Sequence, residues 1–113
     1  MLGVTPIFLY PLIKLGAKDS KASRQSKGGE HFYRLAHLQI EREKWKEAAN
    51  ALDAAIKRGK LKNTGQAYLL KGIAHFSMKH SKSARAAFSQ AREYEKTRAS
   101  SIQWLKHLEE YLN

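Results

Sequence analysis

The chain has 113 residues, with 21 Lys plus Arg against 10 Asp plus Glu for a formal charge of +11, and it has no cysteine. That length holds one domain of about five helices, near the lower limit for a self-sufficient core; the lack of cysteine excludes disulfides, thiolate metal sites and a cysteine nucleophile. The charge admits nucleic acid, an anionic membrane surface or an acidic protein as partner, although beyond residue 29 the cations are interleaved with Glu, as on solvated helix faces.

Residues 1–13 are largely apolar, with Phe8, Leu9, Tyr10, Leu12 and Ile13. The stretch is shorter than the roughly 20 apolar residues of a membrane-spanning helix. It also lacks the basic lead of a signal peptide and is interrupted by Pro6 and Pro11. Residues 11–17 read as a short helix with Pro11 in its first turn, placed to cap the fold. Residues 18–29, rich in Ser, Lys and Gly, read as a basic flexible linker. Lys18, Lys21, Arg24 and Lys27 on it are candidate contacts to an anionic surface.

From Glu30 onward the apolar residues recur at three- and four-residue steps. Phe32, Leu35, Ala36, Leu38 and Gln39 mark one face of a first helix of about thirteen residues. A second begins near Lys44 with the face Trp45, Ala48, Ala51, Leu52, Ala55 and Ile56, and ends by Gly59 after Lys57 and Arg58. Asn63 followed by Gln66 has the form of a capping box, so a third helix starts there with the face Tyr68, Leu69, Gly72, Ile73, His75 and Phe76. The fourth is expected from Ser81 to Tyr94 with Ala84, Ala87, Phe88 and Ala91 inward. The fifth is expected from Ala99 to Leu112 with Ile102, Trp104, Leu105, Leu108, Tyr111 and Leu112 inward.

One step connects these helices. Phe32, Tyr68 and Trp104 are each 36 residues from the next, and Ala48 with Ala84, Leu52 with Phe88 and Ala55 with Ala91 keep the same spacing. A fixed period of this size marks stacked supersecondary units. Small residues facing bulky ones let neighbouring helices approach closely.

The pattern resembles the tetratricopeptide repeat, whose consensus reads W-x2-L-G-x2-Y followed by Ala, an aromatic and Ala. Tyr68, Gly72, His75, Ala84, Phe88 and Ala91 fall at those places, and Phe32, Leu35, Ala36, Gln39, Ala48, Leu52 and Ala55 form the preceding copy. Lys71 stands where the repeat usually has Leu, and Lys60 and Lys96 stand near its closing Pro. The step is two residues longer than the usual 34, so the turn at residues 60–63 should be extended. The resemblance implies an all-α fold of antiparallel helix pairs in a right-handed solenoid. Its parts would be an N-terminal segment (1–17), the linker (18–29), and a repeat domain (30–113). Within that domain, 30–59 and 63–97 would be full repeats and 98–113 a half-repeat cap.

The strings LKNTGQAYLLKGIAHF, ARAAFSQA and WLKHLEEYL further resemble the terminal repeats of bacterial tetratricopeptide proteins associated with TonB systems. That resemblance implies a periplasmic assembly component of an envelope transport system; the lack of a signal peptide counts against secretion of the chain as it stands, so a fragment, a truncated gene product and a cytoplasmic relative stay open.

In this family the first helix of each pair lines a concave groove that takes a partner peptide or helix. By register the groove residues are Tyr33, Arg34, His37, Ile40 and Glu41, then Gln66, Leu69, Leu70, Ile73, Phe76 and Ser77. Tyr33, His37 and Leu70 replace residues that a carboxylate clamp for chaperone tails would need. The apolar row Leu69, Leu70, Ile73 and Phe76 has two readings: core covered by the fifth helix or the N-terminal segment, or an open hydrophobic groove.

Catalytic patterns are absent from the sequence, which points to a non-enzymatic chain without cofactor. His75 and His80 are five apart, which on a continuous helix splays them, and no H-E-x-x-H or phosphate-binding glycine loop occurs. Two function classes follow: a protein-interaction scaffold, or a binder of nucleic acid or another anionic surface through the basic segment. Two and a half repeats leave an open flank, so the N-terminal segment or a second copy of the chain is expected to cover it.

Overall fold

A computed structural model describes residues 28–111. The expectations for residues 1–27, including the capping helix, the linker and the cations Lys18, Lys21, Arg24 and Lys27, lie outside the described residues, as do Leu112 and Asn113. Five α-helices follow in order: α1 (Glu30–Glu41), α2 (Trp45–Arg58), α3 (Thr64–Ser77), α4 (Ser81–Ala91) and α5 (Arg98–Tyr111), with a 3-10 turn at Glu95–Thr97 before α5. Each helix packs on the next in sequence, and α3 also touches α5. A 14-residue helix is about 21 Å long, so the 41 Å long dimension of the molecule runs across several helices lying side by side.

The links α1–α2 and α3–α4 are three residues each, residues 42–44 and 78–80. So short a link between packed helices reverses the chain, making each pair antiparallel. The two links are copies of one another. Arg42 N–H donates to the Leu38 and Gln39 carbonyls, Glu43 N–H to Ile40 and Lys44 N–H to Gln39. At a step of 36, Met78 N–H donates to Ala74 and His75, Lys79 N–H to Phe76 and His80 N–H to His75. The middle residue of each takes a positive φ, 58° at Glu43 and 64° at Lys79, a conformation unusual for residues with a Cβ.

The duplication extends to packing. The Arg58 guanidinium lies 5.4 Å over the Phe32 ring. Tyr94 stacks on Tyr68 with centroids 6.2 Å apart at the same two positions of the second unit. Gly29 and Gly65, also 36 apart, open the two units where a side chain would meet the Ala55 carbonyl or the Thr97 hydroxyl. Ala36 and Leu52 are fully buried in the first unit. Their counterparts Gly72 and Phe88 exchange volume: the larger ring of Phe88 fits because residue 72 has no Cβ, which would stand 2.5 Å from its Cε1.

The core is Ala36, Ile40, Ala48, Leu52, Leu70, Ile73, Ala84, Phe88 and Leu108 with their neighbours, and each large side chain fully buried there contributes about 1.5–3 kcal/mol. Trp104 carries α5 onto it, stacked on Phe88 at 5.5 Å and edge-on to Phe76 at 5.4 Å. Trp45, at the entry to α2, is half-buried against the same core.

Helix ends follow the local chemistry. Asn63 Oδ1 accepts from Gln66 N–H at 3.1 Å, the N-terminal half of the expected capping box. α2 stops at Gly59, φ 77°, whose N–H donates to Ala55 O at 3.0 Å, and Lys57 and Arg58 oppose the negative end of its dipole. The α2–α3 link, residues 59–63, is longer than the two three-residue links and has Lys60 at φ 56°.

Three expectations are corrected. α4 ends at Ala91 instead of Tyr94, because Tyr94 turns to an extended conformation, φ −103° and ψ 128°, and stacks on Tyr68. The Ala91 carbonyl accepts from Tyr94 N–H at 3.2 Å and from the Thr97 hydroxyl at 2.7 Å. Ile102 and Tyr111, expected inward, are exposed, since α5 turns Trp104 and Leu108 to the core. Leu35, expected on the inner face of α1, is exposed because Ala36 and Ile40 take that place.

Candidate functional site

The first-helix residues expected to line a groove divide into two sets. Ile40, Leu69, Leu70, Ile73 and Phe76 are buried, each at most 7% exposed, so they are packing residues within the described fold. The apolar row is therefore core, sealed at Phe76 by Trp104 from α5. His37 is also buried, whereas Tyr33, Arg34, Glu41, Gln66 and Ser77 reach the surface in part.

On α1 a polar cluster forms because residues three and four apart share a helix face. Glu30, itself almost buried, accepts a hydrogen bond from Lys62 N–H at 2.8 Å and pairs with Arg34 at 3.7 Å. This ties the start of α1 to the α2–α3 link and also places a carboxylate in the first turn, where the helix dipole favours it. Tyr33 meets His37 edge-on with centroids 4.7 Å apart. Burial, then the Glu30 carboxylate, push the Tyr33 hydroxyl above the usual tyrosine range, against a smaller opposing effect of Arg34, so it remains a neutral donor at physiological pH. The cluster thus brings together a hydroxyl donor, a guanidinium and an aromatic edge.

A second group was not expected from the sequence. An open cleft of about 370 Å3 runs between α2, α3 and α4, lined by Asp53, Tyr68, Lys71, His75, Ser83 and Gln90 with two alanines. Lys71 Nζ pairs with Asp53 Oδ1 at 2.7 Å across the two units. The ion pair is half-exposed and worth under about 1 kcal/mol.

His75, which lines this cleft, has its Nδ1 atom 3.4 Å from that of His80. The expectation that they splay is corrected: α3 ends at Ser77, and the turn through Lys79 folds His80 back over the last turn of α3. The signal lay in the period, because His80 occupies the position of Lys44, the residue that starts α2. Burial, then Lys71 and His80, hold the His75 imidazole below the usual histidine range, while Asp53 acts in the opposite direction. Among the described residues no group of three or more His, Asp and Glu side chains is placed to hold a metal ion.

Charge concentrates elsewhere. Lys57, Arg58, Lys60 and Lys62, all exposed, lie within six residues at the end of α2 and the following link. Gly29 N–H donates to Gly59 O at 2.7 Å, so the start of the described chain docks at this basic edge. No described helix is long and apolar enough to cross a membrane.

No protein-family model, curated protein sequence or solved structure matches the chain.

Proposed function

We propose that the chain is a tetratricopeptide-type helical-repeat scaffold, non-enzymatic, that holds a partner peptide or helix against its first-helix surface. The observation that carries the reading is the 36-residue duplication of turn, glycine and aromatic pair, which resembles stacked helix pairs whose repeated surface is used for binding. With the apolar row closed, the docking residues are the accessible Tyr33, Arg34, Glu41, Gln66 and Ser77. A partner there is recognised chiefly by polar contacts and by the Tyr33 ring, as at a hot spot rimmed by hydrogen-bonding groups. Assembly into a TonB-type envelope system is the more specific form of this proposal and rests on the resemblance of the terminal strings alone.

The test is cross-linking capture with the full chain, compared with an Arg34→Glu, Gln66→Arg, Glu41→Lys triple variant. The reading requires that the variant keep its helical content and lose the captured partner. Capture unaffected by the triple variant removes the first-helix surface from consideration.

A second reading, recognition of nucleic acid or another anionic surface, is favoured by the exposed edge formed by Lys57, Arg58, Lys60 and Lys62. Binding to a short duplex or single strand that weakens steeply with salt, and more steeply than in a Lys60→Glu, Lys62→Glu variant, supports it. No binding at low salt dismisses it.

A further inference from the structure

We propose that His75 and His80 form a two-imidazole site for a divalent transition-metal ion of the zinc and nickel class. Their Nδ1 atoms face each other at 3.4 Å. Two nitrogens bound to one zinc at about 2.0–2.1 Å with a tetrahedral angle stand about 3.3–3.4 Å apart, so the ligand atoms already have the separation that the ion requires. The rings are tilted by 38°, with centroids 5.6 Å apart, so the two Nδ1 atoms lie between the rings and point toward each other.

The backbone holds this pair in place. His80 N–H donates to the His75 carbonyl at 2.8 Å, and the His80 carbonyl accepts from Ala84 N–H at 2.9 Å, so both ligands belong to the hydrogen-bonded junction of α3 and α4. Two facing Nδ1 atoms can share one proton but cannot both carry one, and a bound metal replaces that shared proton. Lys71 is the cation on the same helix face, and its ammonium is held by Asp53 at 2.7 Å from α2, which offsets its repulsion of an incoming ion. Imidazole nitrogen selects zinc, nickel or copper over magnesium or calcium. The remaining coordination positions open toward solvent and the adjoining cleft, where water or a side chain of a partner completes the shell.

The site belongs to the second unit alone. The corresponding positions of the first unit are Gln39 and Lys44, which provide no imidazole although the turn is the same. A bound ion would fasten the end of α3 to the start of α4 and stabilise that pair.

Zinc chloride titrated calorimetrically into the full chain near neutral pH tests the assignment. One site per chain is expected, weakened roughly tenfold or more by His80→Ala and left intact by His31→Ala and His107→Ala. The ion should also raise the melting temperature reversibly, with EDTA cancelling the rise. His80 is exposed, so its replacement leaves the fold in place and keeps the experiment interpretable. Equal zinc affinity in wild type and His80→Ala, or no binding up to millimolar zinc, overturns the proposal.

Discussion

Gly72 and Phe88 fit one another at the centre of the second helix pair: a Cβ on residue 72 would stand 2.5 Å from Phe88 Cε1. Gly72→Ala gains up to about 1 kcal/mol of helix propensity, but the overpacking it forces costs about 1–3 kcal/mol. With the full propensity gain the net effect is a loss of up to about 2 kcal/mol. Adding Phe88→Leu recreates the Ala36 and Leu52 combination of the first pair and should recover most of it. Urea denaturation of the two single variants and the double variant measures the coupling, and additive losses would contradict the volume exchange.

Lys79 sits at φ 64° with its side chain in solvent. A Cβ in that region costs about 1 kcal/mol, so Lys79→Gly should stabilise the protein by about 0.5–1 kcal/mol. Thermal melting distinguishes this from the loss expected for glycine placed inside a regular helix.

Phe76 is 7% exposed and held by Trp104. Phe76→Ala should cost about 3–5 kcal/mol, an amount that unfolds much of a small domain. Retained stability with loss only of partner binding would restore Phe76 to an open groove.

Because the His75 imidazole is held below its usual range, the folded state releases this proton more readily than the unfolded chain. The stability contribution is therefore complete above the unfolded value of about 6.5 and is lost as pH falls through that value toward the lower folded one. The urea midpoint, taken in EDTA, should fall between about pH 7.5 and about pH 5.5, and fall less in His75→Gln. An identical decline in both proteins would remove His75 as its cause.

Much of the helix order was legible because the inward residues of α1 to α4 repeat at helical steps and again at 36. Asn63 and Gly59 marked their helix ends correctly because capping and positive φ act within a few residues. What escaped notice depends on neighbours distant in the chain. Tyr94 leaves the helix to reach Tyr68, 26 residues earlier, and Ile102 stays outside because α5 turns Trp104 and Leu108 to the core. The His75 and His80 pair was hidden by reading five residues as one helix, when the turn already present at Glu43 showed where α3 must stop. Register alone likewise assigned Leu70 and Ile73 to a groove, although their burial depends on how α3 is enclosed by α2, α4 and α5.

The duplicated helix pair is the basis of the scaffold reading, and nuclear magnetic resonance of the full chain tests it most directly. Positive-φ couplings are expected at both Glu43 and Lys79, with through-space contacts from Phe32 to the Arg58 side chain and from Tyr68 to Tyr94. A regular helical coupling at either turn, or one of the two pairs without contact, would contradict it.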